Sequence, residues 1–259
     1  NFEAYLETHD ASGNTVSIGD PTSMGDGIAN NDSVLTASVS GVESLIVVSL
    51  NIADLTGIED FAALEYLDCS GNQISNLDVS NNIELEWLGC ENNMLTTLNV
   101  SNNIALGSLY CGIGNMLSGL DVNNCTSLQY LDCRLGANTF TSLDVSNNLS
   151  LIYLICDGGF LTSLDVRNGN NSNFTTFNAS SNSNLVCISV DDVAWSTANW
   201  TVANGNIDGH TNFSDDCDLL TVSFIASSNS GCVEDTITFT DASSGNPNSW
   251  LWTIEHQGG

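Results

Sequence analysis

Residues 64–74 read Leu64-Glu65-Tyr66-Leu67-Asp68-Cys69-Ser70-Gly71-Asn72-Gln73-Ile74, and the same frame returns between Ile83 and Leu95 around Leu85, Leu88, Cys90, Asn93 and Leu95. The cysteine then steps on to Cys111, Cys133 and Cys156, at successive intervals of 21, 21, 22 and 23 residues. A second phrase, LDVSNN or a near variant, alternates with it and places valines at Val79, Val100, Val122, Val145 and Val166. The first four of these valines each precede the next cysteine by 11 residues, whereas the distance from cysteine to valine varies between 10 and 12. The extra residues therefore belong to loops just after the cysteine, because an added residue in a stacked strand would flip its side chains to the wrong face. A tandem array of this period predicts a solenoid whose stacked turns bury what one turn alone cannot.

The frame LxxLxCxxNxL resembles the leucine-rich repeat, and the resemblance runs from about Val48 to Val190. Upstream, Val48 and Leu50 with the phrase Ile52 to Phe61 read as a first, shorter turn of 19 residues. Downstream, Phe174, Phe177, Ala179 and Asn182 repeat the frame with phenylalanine for leucine and alanine for cysteine, which gives seven turns. The resemblance implies an α/β-type solenoid, a right-handed superhelix with a parallel β-sheet on its concave side, little helix and a cap at each end. The valine phrase would line the opposite face. The domain reading is an N-terminal cap at 1–43, repeats at 44–190, a C-terminal cap at 185–218 and a separate segment at 219–259.

Inside the solenoid, cysteine at the inward strand position acts as a small apolar residue packed on its counterpart one turn away. A redox or zinc role for the cysteine series is disfavoured, since its spacing is that of the repeat, without CxxC pairs or neighbouring histidines. Asn72 and Asn93 are expected to turn inward and bond the loop backbone, as buried amides must; Gly159 replaces this asparagine in the fifth cysteine turn. A second series, Asn82, Asn103 and Asn148, is interrupted by Cys125, read as another buried substitute.

Residues 1–43 break the repeat, with a short helical phrase at Phe2 to Glu7 and a Gly/Asp/Asn loop at Gly19 to Asp32. They resemble the N-terminal cap of secreted bacterial leucine-rich-repeat proteins of the Bacteroidetes type. Relatives carry a half calcium site, DxNxDG, in this loop; here Asp26-Gly27 is kept, but Met24 and Thr22 replace the other two ligands. After Val190, the stretches Asp191 to Trp195, Asn199 to Thr201 and Phe213 to Cys217 resemble the C-terminal cap of the same family. Cys187 and Cys217 bracket that cap, and a disulfide between them is expected in an oxidising compartment, where closing a loop of some 30 residues adds roughly 3–4 kcal/mol; two unpaired thiols are the alternative. Further on, Thr236 to Asp241, Ser243 to Pro247 and Ser249 to Trp252 resemble the first half of a PKD domain, an immunoglobulin-like β-sandwich, although Ile254-Glu255-His256-Gln257 stands where that family has FGDG. Such a sandwich needs about 100 residues. The segment is thus read either as cut mid-domain or as completed by a partner copy, a route to self-association, with Cys232 an unpaired half of a bridge.

The 259 residues carry 31 Asp+Glu against 2 Lys+Arg, a net charge of −29, and no lysine. Nothing here could neutralise a row of phosphates, so nucleic acid is excluded as a partner, and anionic membrane surfaces are disfavoured. No apolar run of about 18 residues spans a membrane. Asn1 opens the chain without methionine or a signal segment, as expected of a processed secreted or cell-surface protein. His9, His210 and His256 fall far apart in the sequence, and no nucleophile, zinc-protease or phosphate-loop motif occurs, so no enzyme is expected.

Strand residues alternate, so the positions before the second leucine and on either side of the cysteine face outward. The first such row holds Tyr66, Trp87, Ser108, Tyr130, Tyr153 and Thr176; the second Asp68, Gly89, Tyr110, Asp132, Ile155 and Asn178; the third Ser70, Glu91, Gly112, Arg134, Asp157 and Ser180. Four of the five tyrosines, with Trp87, form a nearly continuous track edged by acids and Arg134. Exposed aromatics with a polar rim mark a surface for a glycan, peptide or protein; aromatic stacking for strand stability is the alternative. The first is preferred because other exposed positions are mostly Ser, Thr, Asn and Asp. Tyr66, Trp87, Tyr110, Tyr130, Tyr153, Asp68, Glu91, Asp132, Arg134 and Asp157 are the candidate ligand contacts. On the opposite side Asp78, Asn99, Asp121, Asp144 and Asp165 form a file whose like charges either remain solvated or are bridged by divalent cations such as calcium. No other cofactor is expected. The pairs Ser75-Asn76, Thr96-Thr97, Thr141-Ser142, Thr162-Ser163 and Thr175-Thr176, varied at Ser118-Gly119, leave open a structural surface-layer or ice-binding role.

Overall fold

The computed structural model of the chain describes residues 2–31, 33–134, 136–217, 224–226 and 238–241. Its helices are α1 (Phe2–Thr8), α2 (Thr36–Val39) and α3 (Val193–Asn199). The strands, all three residues long, are β1 (Ser44–Ile46), β2 (Tyr66–Asp68), β3 (Trp87–Gly89), β4 (Ser108–Tyr110), β5 (Tyr130–Asp132), β6 (Ser142–Asp144), β7 (Tyr153–Ile155), β8 (Ser163–Asp165), β9 (Thr176–Asn178), β10 (Cys187–Ser189), β11 (Asn212–Ser214), β12 (Phe224–Ala226) and β13 (Phe239–Asp241).

The expected parallel solenoid forms. Seven strands, one from each turn, make a sheet in the order β1-β2-β3-β4-β5-β7-β9. Register places Leu67, Leu88, Leu109, Leu131, Leu154 and Phe177 side by side, all buried. Each strand contributes one inward leucine, or phenylalanine in β9, between two outward residues, so only three residues per turn need extended backbone, and the rest of the turn bends away.

The first turn departs from the expectation. Leu45, not Val48, pairs with Leu67, so β1 lies three residues earlier than the frame on Val48 and Leu50, and the first turn is 67 − 45 = 22 residues long. Val47 takes the buried position of the cysteines, whereas Val48 and Leu50 are partly exposed. The short-turn reading held for the buried phrase Ile52, Leu55, Ile58 and Phe61, but took Val48 and Leu50 for a strand that lies at Leu45.

Below the sheet, Cys69, Cys90, Cys111, Cys133 and Cys156 are fully buried free thiols, as is Cys125. Their backbones continue the ladder, Cys69 N–H donating to Gly89 O and Cys90 N–H to Tyr110 O, both at 2.9 Å. Asn72 and Asn93 turn inward as expected. Asn93 Oδ1 accepts from Ile74 N–H at 3.0 Å, and its Nδ2 donates to Cys69 O and Cys90 O at 3.0 and 3.1 Å. Asn115 and Asn138 do the same for the next two turns. They sit four and five residues after their cysteines instead of three, so the inserted residues lie between cysteine and asparagine. In the second series, Asn82, Asn103 and Asn148 donate to backbone carbonyls of neighbouring turns. Cys125 fills the gap, its thiol 3.5 Å from Val100 O.

The valine phrase faces the other side, with Val79, Val100, Val122, Val145, Val166 and Val190 fully buried. It forms a second, four-stranded sheet in the order β11-β10-β8-β6 only in the C-terminal half; towards the N-terminus a single parallel bridge joins Asp78 and Asn99. Ser142 and Ser163 pair in this sheet, and beside them Leu143, Leu164 and Ile188 form the adjacent row. Thr176, by contrast, lies in β9 beside Tyr153. The Thr175-Thr176 pair therefore belongs to the first sheet and not to the hydroxyl file, which the repeat spacing had merged.

At the N-terminal end α1 places Phe2 and Leu6 in the core, with Phe2 and Phe61 ring centroids 6.1 Å apart. Glu7, buried on the same helix, accepts from Asp26 N–H and Gly27 N–H at 2.7 and 3.0 Å, and Glu3 accepts from Asn31 N–H at 2.9 Å. Buried carboxylates thus organise the Gly/Asp/Asn loop, in which Met24 is a core residue and the Asp26 carboxylate accepts from Ile28 N–H and Asn31 Nδ2. At the other end the Asp192 side chain caps α3 by accepting from Trp195 N–H at 3.0 Å. Trp200 stacks on Phe177, centroids 4.0 Å apart, closing the core. Cys187 and Cys217 form the expected disulfide across this cap, joining β10 to the residues after β11. In the last segment β12 pairs antiparallel with β13. Cys232 and most of the PKD-like phrase, including Ser243 to Trp252, lie outside the described residues.

Candidate functional site

All ten candidate ligand contacts come from β2 to β7 or the residue just beyond a buried cysteine, and the structure brings them to the open face of the seven-stranded sheet. Tyr66, Trp87, Ser108, Tyr130, Tyr153 and Thr176 are neighbours in register, as are Asp68, Gly89, Tyr110, Asp132, Ile155 and Asn178. Outward positions are fixed by the inward leucine between them, so the sequence has no other way to direct these side chains once the ladder has formed.

The rings do not run as one track. Tyr66 stacks on Trp87 with centroids 4.2 Å apart and planes 9° from parallel, and Trp87 meets Tyr110 at 5.4 Å. Tyr130 and Tyr153 form a separate pair at 5.9 Å. Ser108 holds the place between the two groups in the first row, and Tyr110 reaches Trp87 from the second row. All five rings are partly exposed, Tyr130 the most, at 36%. The Trp87 ring lies across Gly89, where any Cβ would collide with the indole and would stand 3.2 Å from Asp68 Oδ1. Asp68 itself accepts from Ser70 N–H at 3.1 Å and Ser70 Oγ at 2.6 Å, which fixes the carboxylate beside the aromatic group.

The charged residues separate into two sets. Arg134 lies 3.3 Å from Asp132 and 3.9 Å from Asp157, which binds the C-terminal half of the face together electrostatically. Asp132 is buried, 5% exposed, so it supports Arg134 more than it meets solvent. Burial raises its pKa, with Asp157 adding to the rise and Arg134 opposing it. In the N-terminal half Asp68 and Glu91 have no cation of their own chain in salt-bridge contact among the described residues. Burial raises Glu91, and Asp132 and Asp68 raise it further against the pull of Arg134. Burial, then the neighbouring hydroxyls of Tyr153 and Tyr130 and the carboxylates of Asp132 and Glu91, raises Tyr110.

On the other side, each member of the acidic file has a local partner. Asp78, Asn99, Asp121, Asp144 and Asp165 each accept, through Oδ1, the backbone N–H two residues on, at 2.9 to 3.0 Å. These are Asx turns, the physical reason for Asp or Asn at that slot. Hydrogen bonds from Ser80 hold Asp78 below the usual carboxylate range. Arg167 forks onto Asp165; although burial works against it, that contact keeps Asp165 low. Among the described residues no group of three or more His, Cys, Asp or Glu is placed to hold a metal ion. Sequence reasoning missed Asn115, Asn138, Glu3 and Glu7. Counting back from the following leucine or phenylalanine, as in Asn115-Met116-Leu117, identifies the two asparagines. No signal in the sequence marks the glutamates beyond their helical spacing.

No protein-family model and no curated protein matches the sequence. Solved structures do. An internalin, InlF, from Listeria monocytogenes is 22% identical, with 73% of this chain and 67% of that one covered and a TM-score of 0.51. The functional domain of InlJ from the same bacterium, described as including a cysteine ladder, is 27% identical over 61% of this chain, at a TM-score of 0.33. This chain spans 46% of that domain, somewhat under half its length. Internalin C2, again from Listeria monocytogenes, is 17% identical over 70% of this chain and 84% of that one, at a TM-score of 0.49. The fold is that of leucine-rich-repeat proteins. Among the described residues no helix is long and apolar enough to cross a membrane.

Proposed function

We propose that the protein is a non-enzymatic, secreted or surface-held binding protein that captures a peptide, protein or glycan ligand on the open face of its seven-stranded sheet. One observation carries this reading. The chain gathers Tyr66, Trp87, Tyr110, Tyr130 and Tyr153, all partly exposed, on one face, while the opposite face presents Asx turns and hydroxyls. Partly exposed aromatics hold binding surface without the entropy loss of flexible side chains. The InlF likeness supplies a fold whose stacked turns make an extended surface and no ligand, because a fold does not dictate a function.

The test is the double variant Trp87→Ala with Tyr130→Ala, screened with the parent protein on peptide and glycan arrays. Loss of the ligands bound by the parent is expected. If every ligand found is retained by the double variant, the face is not the site. Thermal hysteresis of the parent solution would instead establish the ice-binding alternative, to which the serine and threonine pairs of the second face would be suited.

A further inference from the structure

We propose that the N-terminal half of the open face, formed by Tyr66, Trp87, Tyr110, Asp68 and Glu91, recognises a lysine- or arginine-bearing extended segment of a protein partner. The inference rests on the reading of this face as a binding surface and adds the chemical class of the ligand.

Four observations converge on it. First, the two arginines are the chain's only strong bases. Both are engaged, Arg134 by Asp132 and Asp157 and Arg167 by Asp165 and the Asp215 carbonyl. Second, Arg134 is in salt-bridge contact with Asp132 and Asp157 in the C-terminal half of the face, whereas Asp68, beside the Trp87 ring, and Glu91, which acts on Tyr110, have no salt-bridge partner among the described residues, Arg134 reaching Glu91 only by a longer-range pull. Third, carboxylate and indole share one space: the Asp68 oxygen and the Trp87 ring both close over Gly89. A cation held beside Asp68 meets a carboxylate and the aromatic group of Tyr66, Trp87 and Tyr110 together, and cation–π attraction is strongest for tryptophan. Fourth, the chain's net charge of −29 attracts cationic partners and repels anionic ones at long range.

The span suits a short stretch of chain. Strands β2, β3 and β4 lie about 4.8 Å apart, so the group crosses about 10 Å, the reach of three or four extended residues. A neutral glycan would leave both carboxylates without a counter-charge, and an acidic one would be repelled.

The probes are fluorescent eight-residue peptides of alternating Lys-Ser, Gly-Ser and Glu-Ser, with a neutral glucose tetrasaccharide as competitor, measured by anisotropy with the full chain in about 0.15 M salt. Saturable binding of the Lys-Ser peptide alone is expected. Asp68→Asn with Glu91→Gln should weaken it at least tenfold, and so should Trp87→Ala; the carboxamides keep the shape of the side chains, so this pair guards against loss of folding in the tryptophan variant. Asp121→Asn with Asp144→Asn changes the net charge by the same amount on the opposite face and should alter affinity less than twofold. Equal losses from both charge pairs would show only attraction to an acidic protein and overturn the proposal. So would an absence of saturable binding to the Lys-Ser peptide. If the Gly-Ser peptide or the tetrasaccharide binds and Trp87→Ala abolishes it, the cationic inference fails while the face remains a binding surface. If the Lys-Ser peptide binds with no loss in any face variant, both readings fail.

Discussion

The indole of Trp87 rests on Gly89, two residues further along the same strand, in the space that a Cβ would take. Side chains at i and i+2 share a face of a strand, so a large ring lies flat along β3 only if its neighbour is small. Gly89 is not among the glycines with positive φ, so alanine there meets no backbone strain. Gly89→Ala should nevertheless lift the ring off the strand and break its stack with Tyr66. Forcing a methyl into a filled space costs about 1–3 kcal/mol. A fall in urea stability of that size, with a near-ultraviolet dichroism change matching that of Trp87→Phe, is the expected outcome. Unaltered stability and spectrum would show that the ring is not seated on Gly89.

The buried thiols predict an alkaline limit. Burial pushes Cys69 up to about 12 and Cys125 to about 11, and it also raises Cys90, Cys111, Cys133 and Cys156. In the unfolded chain a thiol titrates near about 8.5. The folded pKa is the higher one, so this contribution is whole below about 8.5 and is lost as pH rises, because the unfolded state releases protons that the folded state keeps. Each thiol contributes a slope of about 1.4 kcal/mol per pH unit. With six of them, stability should fall by about 8 kcal/mol per unit above about pH 9.5. Urea midpoints at pH 8, 9 and 10 should drop with accelerating slope, and Cys90→Ala with Cys133→Ala should reduce that slope by about a third. A flat profile to pH 10.5 would contradict the buried, protonated ladder. The same thiols should resist iodoacetamide until the chain is denatured.

Asn93 joins two adjacent turns by three hydrogen bonds to buried backbone groups. Asn93→Ala leaves Ile74 N–H and the Cys69 and Cys90 carbonyls with fewer partners, and unsatisfied buried groups cost about 1–3 kcal/mol each. A loss on the order of 3 kcal/mol is expected, read as a lower denaturation midpoint. Asn102→Ala is the control. Its exposed amide makes one hydrogen bond, to Ser80 O at 3.1 Å, so its loss should remain below about 1 kcal/mol. Equal losses from the two variants would deny the inward asparagine its special place.

The array itself was legible because a repeated error is impossible in a stack: five cysteines at nearly constant spacing admit one inward position. The disulfide of Cys187 with Cys217 followed from the cap resemblance, and the outward rows followed from strand alternation. What escaped has physical causes. Leu45 was missed because the first turn shares its core with α1, so its frame carries valine instead of cysteine. Asn115 and Asn138 were missed because a loop stretches without altering the bond it must make. The break in the aromatic track at Ser108, and the burial of Asp132 beneath Arg134, depend on side-chain directions that spacing does not encode.

Arg134 separates two carboxylates, Asp132 at 3.3 Å and Asp157 at 3.9 Å. Arg134→Gln removes the cation and leaves Asp132, already raised by burial, facing a like charge. Its folded pKa should rise further above the unfolded value near about 3.9. A carboxylate raised in this way destabilises the fold at neutral pH and ceases to do so as pH falls towards the unfolded value, where it is protonated in both states. The arginine side chain is 41% exposed, so solvent screening limits the loss at pH 7 to about 1–2 kcal/mol. That loss should shrink at pH 4.5 relative to the parent, and Asp132→Asn added to Arg134→Gln should recover most of it at pH 7. Paired melts of parent, single and double variants at the two pH values decide the matter. A loss that is the same at both, and that the second substitution does not repair, would mean that Arg134 holds this part of the face by packing of its aliphatic stem and not by charge.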